Sequence, residues 1–249
     1  MRTYDAWVAS GFLEVAVPSD FVMDSPQGLS HRATAFLAQH AARAEVDCGL
    51  TGDALRTALE SVRGAVDEVL IQTLEGLQAR YAGLMYRSRF FDSVVTFAPV
   101  CEPNPYEGED EISYVVETGR DCGASATRTG ELAVSEGTAS TIEFGSVDAL
   151  IESDAMFEAA VHRSAHRSVY VGKPLAGPAD IMGWVGSVRP VGPASGRWTW
   201  WLTDGTTDIF YCAIWYELTK ISLPCIKIWT DNPDVLQVFN YPLSHFHCG

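Results

Sequence analysis

The stretch from Leu50 to Phe91 carries the longest periodic pattern in the chain. Apolar residues recur there at steps of three and four, which is the period of an α-helix with one apolar face. Thr51 is a suitable N-cap, and Asp53 lies in the first turn, where the helix dipole favours negative charge. The pattern predicts one long helix, of which about 30 residues would span roughly 45 Å. Its apolar positions are Leu55, Leu59, Val62, Val66, Leu70, Leu74, Leu77, Tyr81 and Leu84.

A second helix is predicted before the long one. Ser25-Pro26 is a helix-start signal because proline is favoured at the first helical position, and apolar residues then recur on one face as far as about Arg43. Residues 47–49 break the pattern. Residues 25–90 are therefore predicted to form a helical hairpin with a short connection.

Beyond Phe91 the apolar period changes from 3.6 to 2, which is typical of strands. Residues 118–140 are rich in Gly, Ser, Thr and Ala, and we interpret them as an extended hairpin or a flap that gains little from packing on its own chain. One further helix is predicted at about 146–167, with Ser146 as its cap. The fold class is α+β, with an N-terminal helical hairpin and its long helix packed on a mainly antiparallel C-terminal sheet.

The chain is predicted to be a single α+β domain over residues 1–249. The alternative is a subdivision into a helical part, 1–91, and a mainly stranded part, 92–249.

The C-terminal third is predicted to be almost entirely strands and turns. Asp204-Gly205 separates apolar runs at 198–202 and 209–218, which indicates a hairpin. Further strands are predicted at 181–188, 226–229 and 235–239. The 209–218 run is apolar on both faces, so we expect it to be covered on both sides. Tryptophan rings are used in a structural core, at an interface or as a sugar-stacking platform, and all three uses are possible here. Six tryptophans lie in this part: Trp184, Trp198, Trp200, Trp201, Trp215 and Trp229.

Charge excludes several classes of partner. The net charge is −15, from 17 basic and 32 acidic residues, and no basic stripe is present. We therefore expect no broad nucleic-acid binding and no polybasic membrane anchor. No secretion signal and no apolar run of membrane-spanning length is found, so the predicted location is a virion or the cytoplasm of a host cell. The six cysteines are interpreted as small core residues of a reduced protein.

Histidines form the best candidate for a chemical site. His162 and His166 would lie one turn apart on the predicted 146–167 helix, with Glu158 one turn before them. His245 and His247 belong to the terminal sequence SHFHC. If the tail folds back, these four histidines supply the donors of a tetrahedral zinc site. The alternative is a cationic last helix turn and an aromatic tail with no metal.

The acidic run at Glu107, Glu109, Asp110 and Glu111 is a second candidate. Carboxylates at this density suit calcium, but the spacing of a calcium-binding loop is missing, so a solvated loop is the favoured interpretation.

The sequence contains none of the common nucleotide-binding or hydrolase motifs. With the flap and the two-faced apolar strands, this absence favours a structural protein that assembles with copies of itself, such as a viral or phage capsid component. An enzyme, hydrolase-like and metal-dependent through the histidines, is the first alternative. A carbohydrate- or protein-binding module on the tryptophan strands is the second. No cofactor is predicted apart from the zinc of that alternative.

Overall fold

The computed structural model describes residues 20–46, 49–100, 111–118, 122–163, 165–171 and 173–239. Both helices and strands run through these ranges, and every strand pairing in them is antiparallel, so the α+β class is confirmed. The α-helices are α1 (His31–His40), α2 (Gly52–Arg63), α3 (Glu68–Tyr81), α4 (Val147–Ala160), α5 (Pro178–Trp184), α6 (Ile214–Thr219) and α7 (Pro233–Val238). Among the described helices, none has both the length and the apolar character needed to cross a bilayer.

The described strands form two sheets. The first has seven strands in chain order: β1 (Ala41–Arg43), β2 (Leu84–Ser88), β3 (Ser93–Thr96), β4 (Glu111–Thr118), β5 (Cys122–Thr127), β6 (Leu132–Glu136) and β7 (Ala139–Phe144). The second has the order β8-β12-β11-β10-β9, with β8 (Ala165–Tyr170), β9 (Arg189–Pro190), β10 (Thr199–Thr203), β11 (Thr207–Cys212) and β12 (Cys225–Thr230). Strand β8 is thus an edge strand of the five-stranded sheet.

The predicted long helix is wrong. Helix α2 ends at Gly64, whose φ of 79° is a left-handed conformation that glycine adopts easily. Helix α3 starts anew at Asp67, whose carboxylate accepts the N–H of Leu70. The apolar pattern continues across this break because α2 and α3 bury a shared cluster that includes Leu55 and Leu74.

The helical hairpin is not confirmed either. The first helix starts at Ser30 rather than at Ser25, and it leads directly into β1. The last residues of the predicted long helix instead form β2, which pairs with β1 and buries alternate residues from Leu84 to Ser88. Leu84 fits the helical and the strand pattern equally well. The spacing of apolar residues alone therefore does not show where the helix ends and the strand begins.

Of the two alternatives predicted for the Gly/Ser/Thr-rich segment, its described residues form the hairpin, through β5 and β6, and not the flap. Within it, β5, β6 and β7 form the end of the seven-stranded sheet, and the side chains of β5 are mostly buried. Ala124 and Ala126 are fully buried and pack in the main core cluster with Leu132 and Val134. Small residues here allow close packing, so this segment is packed by its own chain, contrary to the expectation that it gains little from such contacts.

Each face of the five-stranded sheet packs on its own set of helices. Trp201, Phe210 and Trp229 point toward α4, where Phe157 packs against all three rings. Ile209 and Ile228 point the other way, into a cluster that includes Ile181 of α5 and residues of α7. The predicted coverage of 209–218 on both sides holds as far as Cys212, where β11 ends. Three predicted strand regions, 181–188, 214–218 and 235–239, are helical instead over α5, α6 and α7.

Candidate functional site

The histidine pair does not lie on a helix. Helix α4 ends at Ala160, so His162 lies in the turn that follows it, and His166 lies on β8. Both side chains are exposed. The His166 ring stacks on Trp229 with centroids 5.1 Å apart, and partial burial together with nearby Lys227 lowers its pKa. The helix geometry on which the zinc prediction depended is therefore wrong.

The other proposed metal ligands lie mostly outside the described residues. His245 and His247 belong to the C-terminal segment that follows Phe239, and Glu107, Glu109 and Asp110 precede β4. Glu111 begins β4. Among the residues that the structure describes, no three His, Cys, Asp or Glu side chains are grouped to hold a metal ion. The zinc and calcium sites remain predictions.

The tryptophans are covered largely by their own chain. Trp201 is fully buried and its indole N–H donates to Ser153 Oγ at 3.0 Å. Trp200 and Trp198 are half-buried against the opposite face of the sheet, where Trp200 stacks on Tyr211 at 4.5 Å. These three indoles are therefore packed within their own chain, as a structural core would use them.

A row of polar side chains crosses one end of the five-stranded sheet. Thr199 lies opposite Cys212, Cys212 lies opposite Cys225, and Cys225 lies opposite Tyr170. Directly opposite residues on antiparallel strands project from the same face, so the four side chains form one line from β10 to β8. Lys227 lies on this face too, two residues along β12, with Nζ 5.5 Å from the Phe157 ring centroid. The row brings two thiols together at a half-buried position.

Glu143 of β7 terminates this row at its buried end. Its carboxylate accepts hydrogen bonds from the Thr199 hydroxyl and from the N–H of Trp198, the latter at 3.0 Å. A Cβ built at Gly196 would overlap the Glu143 carboxylate, so only glycine allows this close approach. Burial raises the pKa of the Glu143 carboxyl to about 7, although its hydrogen bonds and nearby Arg197 favour the charged form. This carboxyl ties β7 of one sheet to β10 of the other.

Helix α4 carries further carboxylates that hold separate segments of the chain. Asp148 accepts the Tyr81 hydroxyl at 2.8 Å, and Glu152 accepts the Ser30 hydroxyl at 2.7 Å. Asp154 is fully buried and accepts the N–H groups of Arg89 and Phe90 at 2.8 and 3.0 Å. Burial raises the pKa of Asp154 to about 6. A buried carboxyl with a raised pKa, such as that of Asp154, resembles a tuned catalytic acid, but this one satisfies backbone donors of its own fold.

Charge is divided unevenly along the chain. Residues 1–162 contain 10 basic and 26 acidic residues, whereas residues 163–249 contain seven basic and six acidic residues. The whole five-stranded sheet belongs to the second, nearly neutral part. Most acidic residues therefore precede this sheet in the sequence. The repulsion that they cause between copies of this protein comes mainly from that earlier part of the chain.

Strand β8 has an edge on which the structure describes no partner strand. The N–H of Val171 donates to the carbonyl of Pro224 at 2.9 Å, so alternate residues of β8 face β12. The backbone N–H and C=O groups of His166, Ser168 and Tyr170 consequently point away from β12, and no described strand lies on that side. Other edges are shorter or partly covered: β9 has two residues, and the Glu143 carbonyl of β7 accepts the N–H of Arg197 at 2.7 Å.

Exposed apolar side chains lie at the end of β8 and in the loop that precedes its partner β12. Tyr170 is 56% exposed, and Ile221 and Leu223, in the loop that enters β12, are 85% and 52% exposed. We call His166, Ser168 and Tyr170 with these two loop residues the edge patch. Exposed large apolar residues grouped beside an unpaired strand are typical of an interaction surface.

Sequence reasoning missed the thiol pair, Glu143, Asp154 and the edge patch. The sequence offers little signal for them, because Asp154 is one of four acidic residues of α4 and nothing in the sequence distinguishes it from the other three. The cysteines gave no signal because α6 separates their strands, and their register is visible only in the folded sheet. Comparison with protein-family models, with curated proteins and with solved structures finds nothing that matches this chain.

Proposed function

We propose that this chain is a structural protein that assembles with copies of itself through the edge patch. The observation that carries the proposal is the edge of β8 that has no described partner strand and bears three outward-facing residues. The end of this strand lies near the loop of exposed Ile221 and Leu223, because the N–H of Val171 donates to the carbonyl of Pro224. An open strand edge is a template for strand addition, and proteins that remain monomeric usually block such edges. A capsid or another virion component is the setting we propose for this assembly.

A second copy is the occupant that suits this edge best. Two β8 strands related by a two-fold axis pair antiparallel, and each then satisfies the backbone groups of the other. The same operation brings Tyr170 of each copy to the shared border. The near balance of charge in residues 163–249 allows this approach, whereas a contact between two strongly acidic surfaces would be opposed by repulsion.

The experiment measures the oligomeric state of the full chain by analytical ultracentrifugation, for the wild type and for Ser168→Pro. The N–H of Ser168 faces outward, so proline removes a donor of the proposed interface without removing a bond to β12. We expect the wild type to be oligomeric and the Ser168→Pro protein to dissociate, with circular dichroism unchanged. Val94→Ser is the matched control, because Val94 is 48% exposed on β3, in the other sheet.

Two results would contradict the proposal. A wild-type protein that stays monomeric at high concentration refutes self-assembly itself. Oligomers that survive Ser168→Pro, or that dissociate equally in Val94→Ser, refute the edge patch as the interface.

A further inference from the structure

We propose that Cys212 and Cys225 are a redox-active dithiol, which a low-molecular-weight disulfide oxidises to a disulfide between β11 and β12. The two residues lie directly opposite each other in the antiparallel register. Their side chains therefore leave the sheet on the same face, as neighbours. This inference is independent of the assembly proposed above.

Backbone geometry fits such a bond. Because the N–H of Ala213 donates to the carbonyl of Trp198, residue 213 faces β10 and Cys212 faces β12. Cys212 and Cys225 thus form a hydrogen-bonded pair, for which the Cα atoms of antiparallel strands are about 5.5 Å apart. Disulfides most often join Cα atoms that are about 5.5–6 Å apart. The bond needs no change of register and no large backbone movement.

Access differs between the two thiols. Both residues are half-buried, but Cys225 lies beside exposed Tyr170 and two residues after exposed Leu223. Cys212 lies on the inner side, next to fully buried Thr199. Burial raises the pKa of the Cys212 thiol to about 12, and the charge of Glu143 adds to this rise. A reagent from solution therefore meets Cys225 first, and Cys212 is the resolving thiol.

The chemistry is two successive thiol–disulfide exchanges. The Cys225 thiolate attacks one sulfur of the small disulfide, which forms a mixed disulfide and releases the first thiolate. The Cys212 thiol then loses its proton to solvent, and its thiolate attacks the Cys225 sulfur and releases the second small thiol. In total, two protein thiols are oxidised to one disulfide, and one small disulfide is reduced to two thiols. The high pKa of Cys212 makes the second step the slower one near neutral pH.

The test equilibrates the full chain with buffers of oxidised and reduced glutathione and maps its disulfides by alkylation and peptide mass spectrometry. We expect a peptide pair joined through Cys212 and Cys225. We also expect Cys212→Ala to accumulate glutathione on Cys225 because no resolving thiol remains. In the wild type, release of that glutathione should accelerate about tenfold for each pH unit between neutral pH and pH 9, as the thiolate fraction rises.

Cys122→Ala is the matched control, since Cys122 is also half-buried on a strand but lies opposite Glu136. This variant should form the Cys212–Cys225 disulfide as the wild type does. The proposal is overturned if both thiols remain alkylatable in the most oxidising buffer, or if the bond that forms joins other cysteines. It is also overturned if Cys212→Ala and Cys225→Ala take up glutathione equally.

Discussion

Replacing the buried Glu143 by glutamine should remove a defined part of the pH dependence of stability. In the folded protein the pKa of this carboxyl is about 7, compared with an ordinary value of 4.5. The folded state therefore holds the proton more tightly than the unfolded state. The stabilisation that this tighter proton binding contributes is fully present below pH 4.5 and is lost as the pH rises through 7. The difference between the two pKa values corresponds to about 3 kcal/mol in the free energy of unfolding.

Glutamine suits this site because it is neutral at every pH and its amide still makes both hydrogen bonds. Its oxygen accepts the N–H of Trp198, and its NH₂ group donates to the hydroxyl of Thr199, which is able to accept. At pH 5 the wild type and the Glu143→Gln protein should therefore differ little. At pH 8 the variant should be the more stable by up to about 3 kcal/mol, because only the wild type has a buried charge.

The assay is urea unfolding followed by tryptophan fluorescence, at intervals from pH 5 to pH 8. Asp154 also has a raised pKa, so its contribution changes stability in the same direction in both proteins. The quantity to compare is consequently the difference between the two free energies of unfolding. Glu60→Gln, at an exposed position of α2, is the control, and its difference should stay constant. A constant difference for Glu143→Gln, or one that favours the wild type increasingly as the pH rises, refutes the reasoning.

Three further predictions concern backbone and packing, and chemical denaturation measures each of them. Gly196→Ala should destabilise the protein by about 2 kcal/mol, because the new methyl group overlaps the Glu143 carboxylate; an unchanged midpoint would contradict this. Asp154→Ala should cost about 3 kcal/mol, since two backbone N–H groups in the β2–β3 turn lose their acceptor, and a loss under 1 kcal/mol would count against the buried contact. Gly64→Ala should destabilise the protein by about 1 kcal/mol because φ at Gly64 is 79°. Gly76→Ala, in the exposed middle of α3 with open space around it, should stabilise the protein by a similar amount. Effects of the same sign would contradict the assignment of Gly64 to a helix end and of Gly76 to a helix interior.

Some elements could be predicted from the sequence because local chemistry determines them. Ser146 caps α4 as its position predicts, and its hydroxyl accepts the N–H of Ala149. The turn around Asp204-Gly205 joins β10 and β11, since Asp204 accepts the N–H groups of Thr206 and Thr207. In each case a short side chain satisfies backbone groups within three residues, so distant contacts were not needed.

Other elements depend on contacts that a periodic pattern does not contain. The apolar run at 209–218 predicts one strand. In the structure, however, the strand ends at Cys212 and α6 follows, which packs Trp215 against Phe90 and Phe91. The small residues of β5 look poorly able to pack, yet Ala124 fits a fully buried position beneath larger neighbours. The thiol pair and the edge patch exist only through the register of β12 between β8 and β11, so the candidate site was not accessible from the sequence.

The carboxylates of α4 also restrict how this helix is able to sit in the fold. An apolar stripe repeats at each turn, so a purely apolar helix that slides by one turn often finds a second acceptable position. Here a slide, or a rotation about the axis, would separate Asp148, Glu152 and Asp154 from three different donors at once. The three contacts therefore fix the position of α4 along its axis and its rotation about it. Near-native arrangements with a shifted helix are excluded.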